Sequence, residues 1–297
     1  MGFAACHPAI NFIYFACVIA ATLCIPHPVF LAIALICAFA YSAKLNRVRG
    51  VVFGLCLVPA AAAFAAWYSS YHHFGVTVLR QNFVHNNMTL EALVCGLVLA
   101  LTVAGAMLWF SCVHAIFTTD KVVYLFGKVS PRLSLFLAIL LRMVPRIRQQ
   151  AKKLNTAQRG IGMAVNQGNV FQRIRNALRI FSMMVTWTID MLTNASESMQ
   201  SRGSTLRGRT AFSIYRFDNR DRSYVVVLFA AMTVLLMGIL LRQGYVRFDP
   251  VIRMAPVTPL SFVFYAGYAA LCLMPLMLDL YTEWSFRRAR RNMQEFI

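Results

Sequence analysis

Residues 1–43 read MGFAACHPAINFIYFACVIAATLCIPHPVFLAIALICAFAYSA, and the first charged side chain of the chain is Lys44. As one helix rising 1.5 Å per residue, this run would cover roughly twice a hydrocarbon core of about 30 Å. A single straight helix is therefore excluded. Pro26-His27-Pro28 interrupts the run near its middle, because closely spaced prolines remove amide donors and clash with the preceding turn. The expectation is a helical hairpin with arms at about 8–25 and 29–43. The run has no cationic stretch ahead of it and a second arm follows at once, so it reads as membrane hairpin rather than cleavable leader.

Working outward, charge-free windows recur at 51–70, 92–119, 224–241 and 254–278, which brings the expected spans to about six. The run 133–141, between Arg132 and Arg142, is only nine residues long, too short to cross as a helix, and is expected to lie at the interface or pack within the protein. The 297 residues are 59% hydrophobic and 13% charged, about half the charge of an ordinary soluble surface. Mean hydropathy of +0.62 agrees. The fold class expected is all-α: a polytopic membrane protein with about six spanning helices and a pair of long amphipathic cytoplasmic helices. The domains expected are an N-terminal membrane bundle (1–120, about four spans), a cytoplasmic region (121–222), and a C-terminal membrane hairpin with a basic tail (223–297).

The formal net charge of +19 admits nucleic acid, anionic lipid or an acidic protein partner. Alternate placement of the inter-span segments puts 25 of the 29 Lys and Arg on one side and four on the other. The positive-inside rule makes the first side cytoplasmic, with both termini inside. The long central segment counts little in that rule, so the vote rests on the short flanks. Between Lys121 and Arg179 there are twelve basic residues and no acidic one. Held against anionic headgroups, each charge contributes about 1 kcal/mol; tethering to the membrane and the lack of a binding motif disfavour nucleic acid.

Two helical stripes lie in that segment. After Pro145, apolar residues recur at Ile147, Ala151, Leu154, Ala157 and Ile161. A longer stripe runs Phe171, Ile174, Leu178, Phe181, Val185, Thr188, Leu192, Ala195 and Met199, alternating steps of three and four over 29 residues, about 43 Å of helix. The first ends at Gln158-Arg159-Gly160 with Gly162 beyond; the second ends at Ser201-Arg202-Gly203. Helix termination explains both at once: glycine supplies the left-handed residue and a cation complements the dipole. The alternative is docking. The tips repeat 43 residues apart, and Arg202 continues the apolar stripe three residues after Met199. An arginine framed by apolar surface suits a carboxylate-bearing groove, where its planar fork pairs bidentately.

With these motifs the chain resembles the transmembrane T component of energy-coupling factor transporters, importers of vitamins and transition-metal ions related to ABC transporters. The resemblance rests on His7-Pro8, Arg142-Met143-Val144-Pro145, Ala157-Gln158-Arg159-Gly160, Ser198-Met199-Gln200-Ser201-Arg202-Gly203 and Gly208-Arg209-Thr210. It implies a scaffold in the cell membrane whose crossed coupling helices each end in an arginine motif docked on one of two ABC-type ATPase subunits. The implied docking residues are Gln158, Arg159, Gly160, Ser201, Arg202 and Gly203. It also implies a membrane-embedded substrate-binding S component packed against those helices and part of the bundle. The family's commonest form has alanine before the arginine, where this chain has Gln158 and Ser201.

No cofactor, catalytic residue or metal ligand is expected in the chain itself. Gly127-Lys128 is followed by Val129, and Val122 stands where a phosphate-cradling loop needs glycine. The eight cysteines contain no C-x-x-C and read as small hydrophobes, and His72-His73 reads as interfacial loop. Ala60 to Ala63 with Ala65 and Ala66 give the third span a small face, for packing within the subunit or against an S component. Two rivals remain: a lipid-phosphate transferase using Asp218-Asn219-Arg220-Asp221 as a metal-binding pair, and a self-sufficient ABC transporter membrane subunit, which would want polar groups deep in its spans. Asp279, Glu283 and Arg287, spaced by four, favour a local ion pair.

Overall fold

The structure is a computed structural model that describes residues 2–72, 74–81, 87–203, 206, 215 and 217–294. His73, Arg216 and the Gly208-Arg209-Thr210 motif lie outside the described residues. Two compact units are present: Met1–Thr118 with Tyr215–Ile297, and Thr119–Ile214. The first and last membrane segments therefore form one body, and the basic region is inserted between them.

The membrane unit opens with a short 3-10 turn, Phe3–Ala5, followed by α1 (Pro8–Cys24), α2 (Pro28–Asn46), α3 (Val48–Tyr71) and α4 (Leu90–Ile116), then, after the inserted unit, α8 (Asn219–Leu240) and α9 (Pro259–Gln294). Proline sits at the first position of α1 and α2, where its missing amide has no intrahelical role. The two His-Pro steps do the same local work. His7 Nδ1 accepts from the Ala9 amide and His27 Nδ1 from the Val29 amide, each at 3.3 Å, so each imidazole caps the helix its proline begins.

Among the described residues five helices are long and apolar enough to cross a membrane: α2, α3, α4, α8 and α9. The sixth expected span, α1, is apolar but has 17 residues, about 26 Å of helix. The protein is an all-α polytopic membrane protein, with two small antiparallel hairpins between helices: β1 (Val78–Gln81) with β2 (Asn87–Thr89), and β3 (Val246–Arg247) with β4 (Arg253–Met254). The second hairpin takes Met254, the first residue that the hydropathy pattern assigned to the last span, and the helix begins instead at Pro259.

The core is aromatic. Trp109, Tyr14, Tyr41, Tyr268 and Phe3 are fully buried, and edge-on ring pairs join Phe3 to Tyr14 at 5.1 Å and Phe30 to Tyr268 at 5.4 Å. One polar contact in it has a backbone cause. Pro275 lies inside α9 and has no amide to give the carbonyl of Leu271, four residues earlier. The Tyr14 hydroxyl donates to that carbonyl at 3.2 Å and to the Cys272 carbonyl at 3.3 Å, satisfying a group that lipid cannot.

The N-terminal segment is tied to the last two helices. Asp279 Oδ1 accepts from the Phe3 amide at 2.6 Å, and Asp221 Oδ1 from the His7 amide at 3.4 Å. Lys44 Nζ lies 3.1 Å from Glu283, which also meets Arg287 at 3.7 Å, so the expected local pair is shared with α2. All eight cysteines are free thiols.

The inserted unit contains α5 (Thr119–Val129), α6 (Pro131–Gly160) and α7 (Val170–Ser201). α6 differs from expectation. The run 133–141 and the stripe after Pro145 are one 30-residue helix with Pro145 in its interior. The residues before Pro145 accept the helical conformation, so only one donor is lost rather than the helix.

Candidate docking tips on two long helices

α7 matches its stripe closely: it begins one residue before Phe171, with Asn169 and Gln172 forming a reciprocal capping box, and runs 32 residues, about 48 Å. Within its unit most of that stripe is uncovered. Phe171 is 79% exposed and Phe181 66%, with Ile174, Leu178, Val185 and Leu192 also exposed and Thr188, Ala195 and Met199 half-buried; the buried Ile180 and Met184 lie off the stripe.

Each tip ends at a glycine of positive φ, but the two seat their arginine at different places in that closure. At the end of α6, the Met163 amide donates to the Gln158 carbonyl (2.9 Å) and the Gly162 amide to the Arg159 carbonyl (3.2 Å), with Gly162 at φ +76°. This is the paired hydrogen-bond closure in which Gly162 is the left-handed residue. Gly160 is still helical, and a side-chain carbon built on it meets nothing within 4 Å. At the end of α7, Arg202 itself follows the last helical residue, and Gly203, at φ +75°, is the left-handed residue next to it. Arg159 thus lies in the last helical turn and Arg202 at the boundary.

Both arginines, with Gly160 and Ser201, are exposed, while Gln158 and Gly203 are half-buried. Neither arginine makes an ion pair among the described residues. The unit that carries them has only Asp120, Asp190 and Glu197 as acids, so the field around both guanidinium groups is positive. Helix termination accounts for the glycines at 162 and 203 and leaves Gly160 without a local role.

The first tip stands on a pinned loop. The Val165 amide donates to Asn155 Oδ1 at 3.1 Å, Asn176 Nδ2 to the Ala164 carbonyl at 3.2 Å, and the Ala164 amide to Gln167 Oε1 at 3.2 Å, with Ala164 buried beneath. These positions carry no periodic signal; the Asn169-x-x-Gln172 spacing, a capping-box pattern, is the signal that could have placed the far side of the turn. Beside the second tip, a groove of about 340 Å³ between α6 and α7 is lined by Leu135, Ile139, Leu192, Ala195 and Met199.

The aspartate pair at 218 and 221 has a structural occupation. Asp218 accepts from the Asn219 amide at 2.8 Å, and Asp221 accepts from the Asp218 and His7 amides, so the two form the capping box of α8. Among the described residues no three His, Cys, Asp or Glu side chains gather as metal ligands.

No protein-family model matches the chain. It is similar to the energy-coupling factor transporter transmembrane protein EcfT of Lactococcus lactis subsp. cremoris, 30% identical over 105 residues, 35% of this chain and 39% of that protein. The EcfT of Lacticaseibacillus paracasei is 33% identical over 95 residues, 30% and 34% of the two chains. EcfT 1 of Listeria monocytogenes is 26% identical over 107 residues, 35% and 40%. The matched stretches span between a third and two fifths of these relatives. Over about a third of its length, then, this all-α membrane protein is EcfT-like, resembling the transmembrane component of energy-coupling factor transporters.

Proposed function

We propose that this chain is the membrane scaffold and coupling subunit of an energy-coupling factor importer. Arg159 and Arg202, with Gln158, Gly160, Ser201 and Gly203 around them, each enter a carboxylate-bearing groove of one of two cassette ATPases. The exposed stripe of α7 receives a membrane-embedded substrate-binding component. The chain hydrolyses nothing; the ATPases do, and closure of their dimer moves the two tips and hence the helices that carry them. Substrates are vitamins or other micronutrients. Both termini and the inserted unit face the cytoplasm, with the cation-rich segments inside.

One observation carries this reading: two exposed guanidinium groups, unpaired among the described residues, stand at the ends of two long helices, and the apolar stripe of the second is left largely uncovered by its own unit. Similarity to EcfT proteins supports it. Truncating one member of a desolvated charged pair at an interface costs about 2 to 5 kcal/mol. Arg159→Ala or Arg202→Ala should therefore leave the protein in the membrane but cut ATPase copurification at least tenfold, or uncouple hydrolysis from uptake. Wild-type uptake by the double Arg159→Ala, Arg202→Ala protein removes the basis of the proposal.

A further inference from the structure

A groove between α3 and α4 in the membrane unit holds two neighbouring spaces that share Met107 as a wall. At one end, a space of about 580 Å³ is lined by Asn46, Arg49, Ser111 and His114 together with the aromatic walls Phe53 and Phe110. Asn46 Nδ2 donates to Ser111 Oγ at 3.0 Å, fixing the end of α2 to α4 at this rim. Met107 lines this space and also the next, of about 150 Å³, which continues along Leu57, Ala60, Phe64, Ala100 and Val103. Polar groups are confined to the first space; the second is wholly apolar. No acidic side chain lines either.

The order along the helices gives the groove a polarity. On α3 the lining goes from Arg49 through Phe53 and Leu57 to Ala60 and Phe64, and on α4 from His114 back to Ala100. Eleven residues separate Phe53 from Phe64, about 16 Å of helix, close to the apolar depth of one leaflet, about 15 Å. The polar end coincides with the tight α2–α3 connection, where Arg47 (φ 50°) reverses the chain and Lys44, Arg47 and Arg49 cluster.

We infer that this groove binds one anionic glycerophospholipid, its phosphate at Arg49, Asn46, Ser111 and His114 and one acyl chain along the alanine-lined slot of α3 and α4. Charge and shape select this occupant. A guanidinium with further hydrogen-bonding side chains at the membrane interface suits a phosphate. The polar space is the larger, about 580 against about 150 Å³, as a headgroup followed by a chain requires, whereas a partner helix is a cylinder of constant width, about 10 Å. The small residues leave a chain-wide slot that larger side chains would fill. The inference does not depend on the transport proposal.

Native mass spectrometry of the full-length protein in detergent, titrated with dioleoyl phosphatidylglycerol or dioleoyl phosphatidylcholine, tests it. One phosphatidylglycerol should be retained at least fivefold more strongly than phosphatidylcholine. Arg49→Gln should lower phosphatidylglycerol retention about fivefold, about 1 kcal/mol, and phosphatidylcholine, whose choline already offsets its phosphate, by less. Ala60→Phe, at an exposed position of the slot, should lower both. Should either variant fold poorly, Phe53→Trp gives a second readout: the fluorescence it adds over the native chain with its four tryptophans should be quenched more by brominated phosphatidylglycerol than by brominated phosphatidylcholine. Equal retention of the two lipids, wild-type binding by both variants, or displacement of the lipid by millimolar inorganic phosphate would each overturn the assignment.

Discussion

Gly160→Ala separates docking from helix termination more cleanly than any arginine change. Gly160 is helical and has open space around its α-carbon, while the left-handed position belongs to Gly162. Alanine at 160 therefore adds no strain within the chain and should stabilise the end of α6 by about 0.5 to 1 kcal/mol, the usual gain over glycine in a helix. At an interface the outcome reverses. If a partner groove closes on the tip, an added methyl beside Arg159 overpacks it, costing about 1 to 3 kcal/mol, about five- to 150-fold in affinity. The assay pairs thermal unfolding of the purified chain with copurification of the cassette ATPases. The expected result is an unchanged or raised melting temperature together with loss of ATPase. Gly162→Ala is the control, because its φ of +76° makes alanine cost about 1 to 2 kcal/mol in the chain itself. A Gly160→Ala protein that retains its ATPases and full uptake would refute the docking account of the first tip.

Other outcomes follow from the membrane unit. Tyr14→Phe should lower stability by about 0.5 to 1.5 kcal/mol, read as a fall in melting temperature, because the Leu271 carbonyl loses its donor. Pro275→Ala should cancel that loss in the double mutant by restoring a backbone donor, and a simple additive pair would contradict the explanation. His27 is 2% exposed, and burial lowers its pKa below the ordinary value of about 6.5. Its neutral ring caps α2, so this contribution is complete above about pH 6.5 and declines as the pH falls toward the lowered value, where the unfolded chain takes up protons first. His27→Asn keeps a capping acceptor and should flatten that acid limb in a thermal-stability profile across pH 4.5 to 7.5 in roughly half-unit steps.

The sequence showed most where one periodicity acted alone. The stripe from Phe171 to Met199 predicted α7 to within two residues at either end, because nothing inside it competes with the 3.6-residue repeat. α6 was legible only in its second half. Pro145 signals a break by local rules, yet flanking turns hold the helix through it, as they do around Pro59 and Pro275. By contrast Pro8, Pro28 and Pro131 stand at helix starts, where the same residue costs nothing. The tips were legible as Arg-Gly pairs, but not where each arginine falls in the helix closure. Which glycine takes positive φ depends on where the carbonyls of Gln158 and Gln200 find donors, and that is a matter of one residue more or less of helix. The pins of the first tip, Asn155 and Asn176, are scattered polar residues whose meeting depends on the α6–α7 turn.

The amide ties from residues 3 and 7 to Asp279 and Asp221 set a schedule for biogenesis. α1 leaves the ribosome first, but its acceptors lie on α8 and α9, more than 200 positions later. Tyr14 and Thr22 likewise await the carbonyls and Tyr268 hydroxyl of the final helix. Nascent α1 can settle on Trp109 of α4 early, but these polar ties remain open until the cationic insert and the final helix have been made.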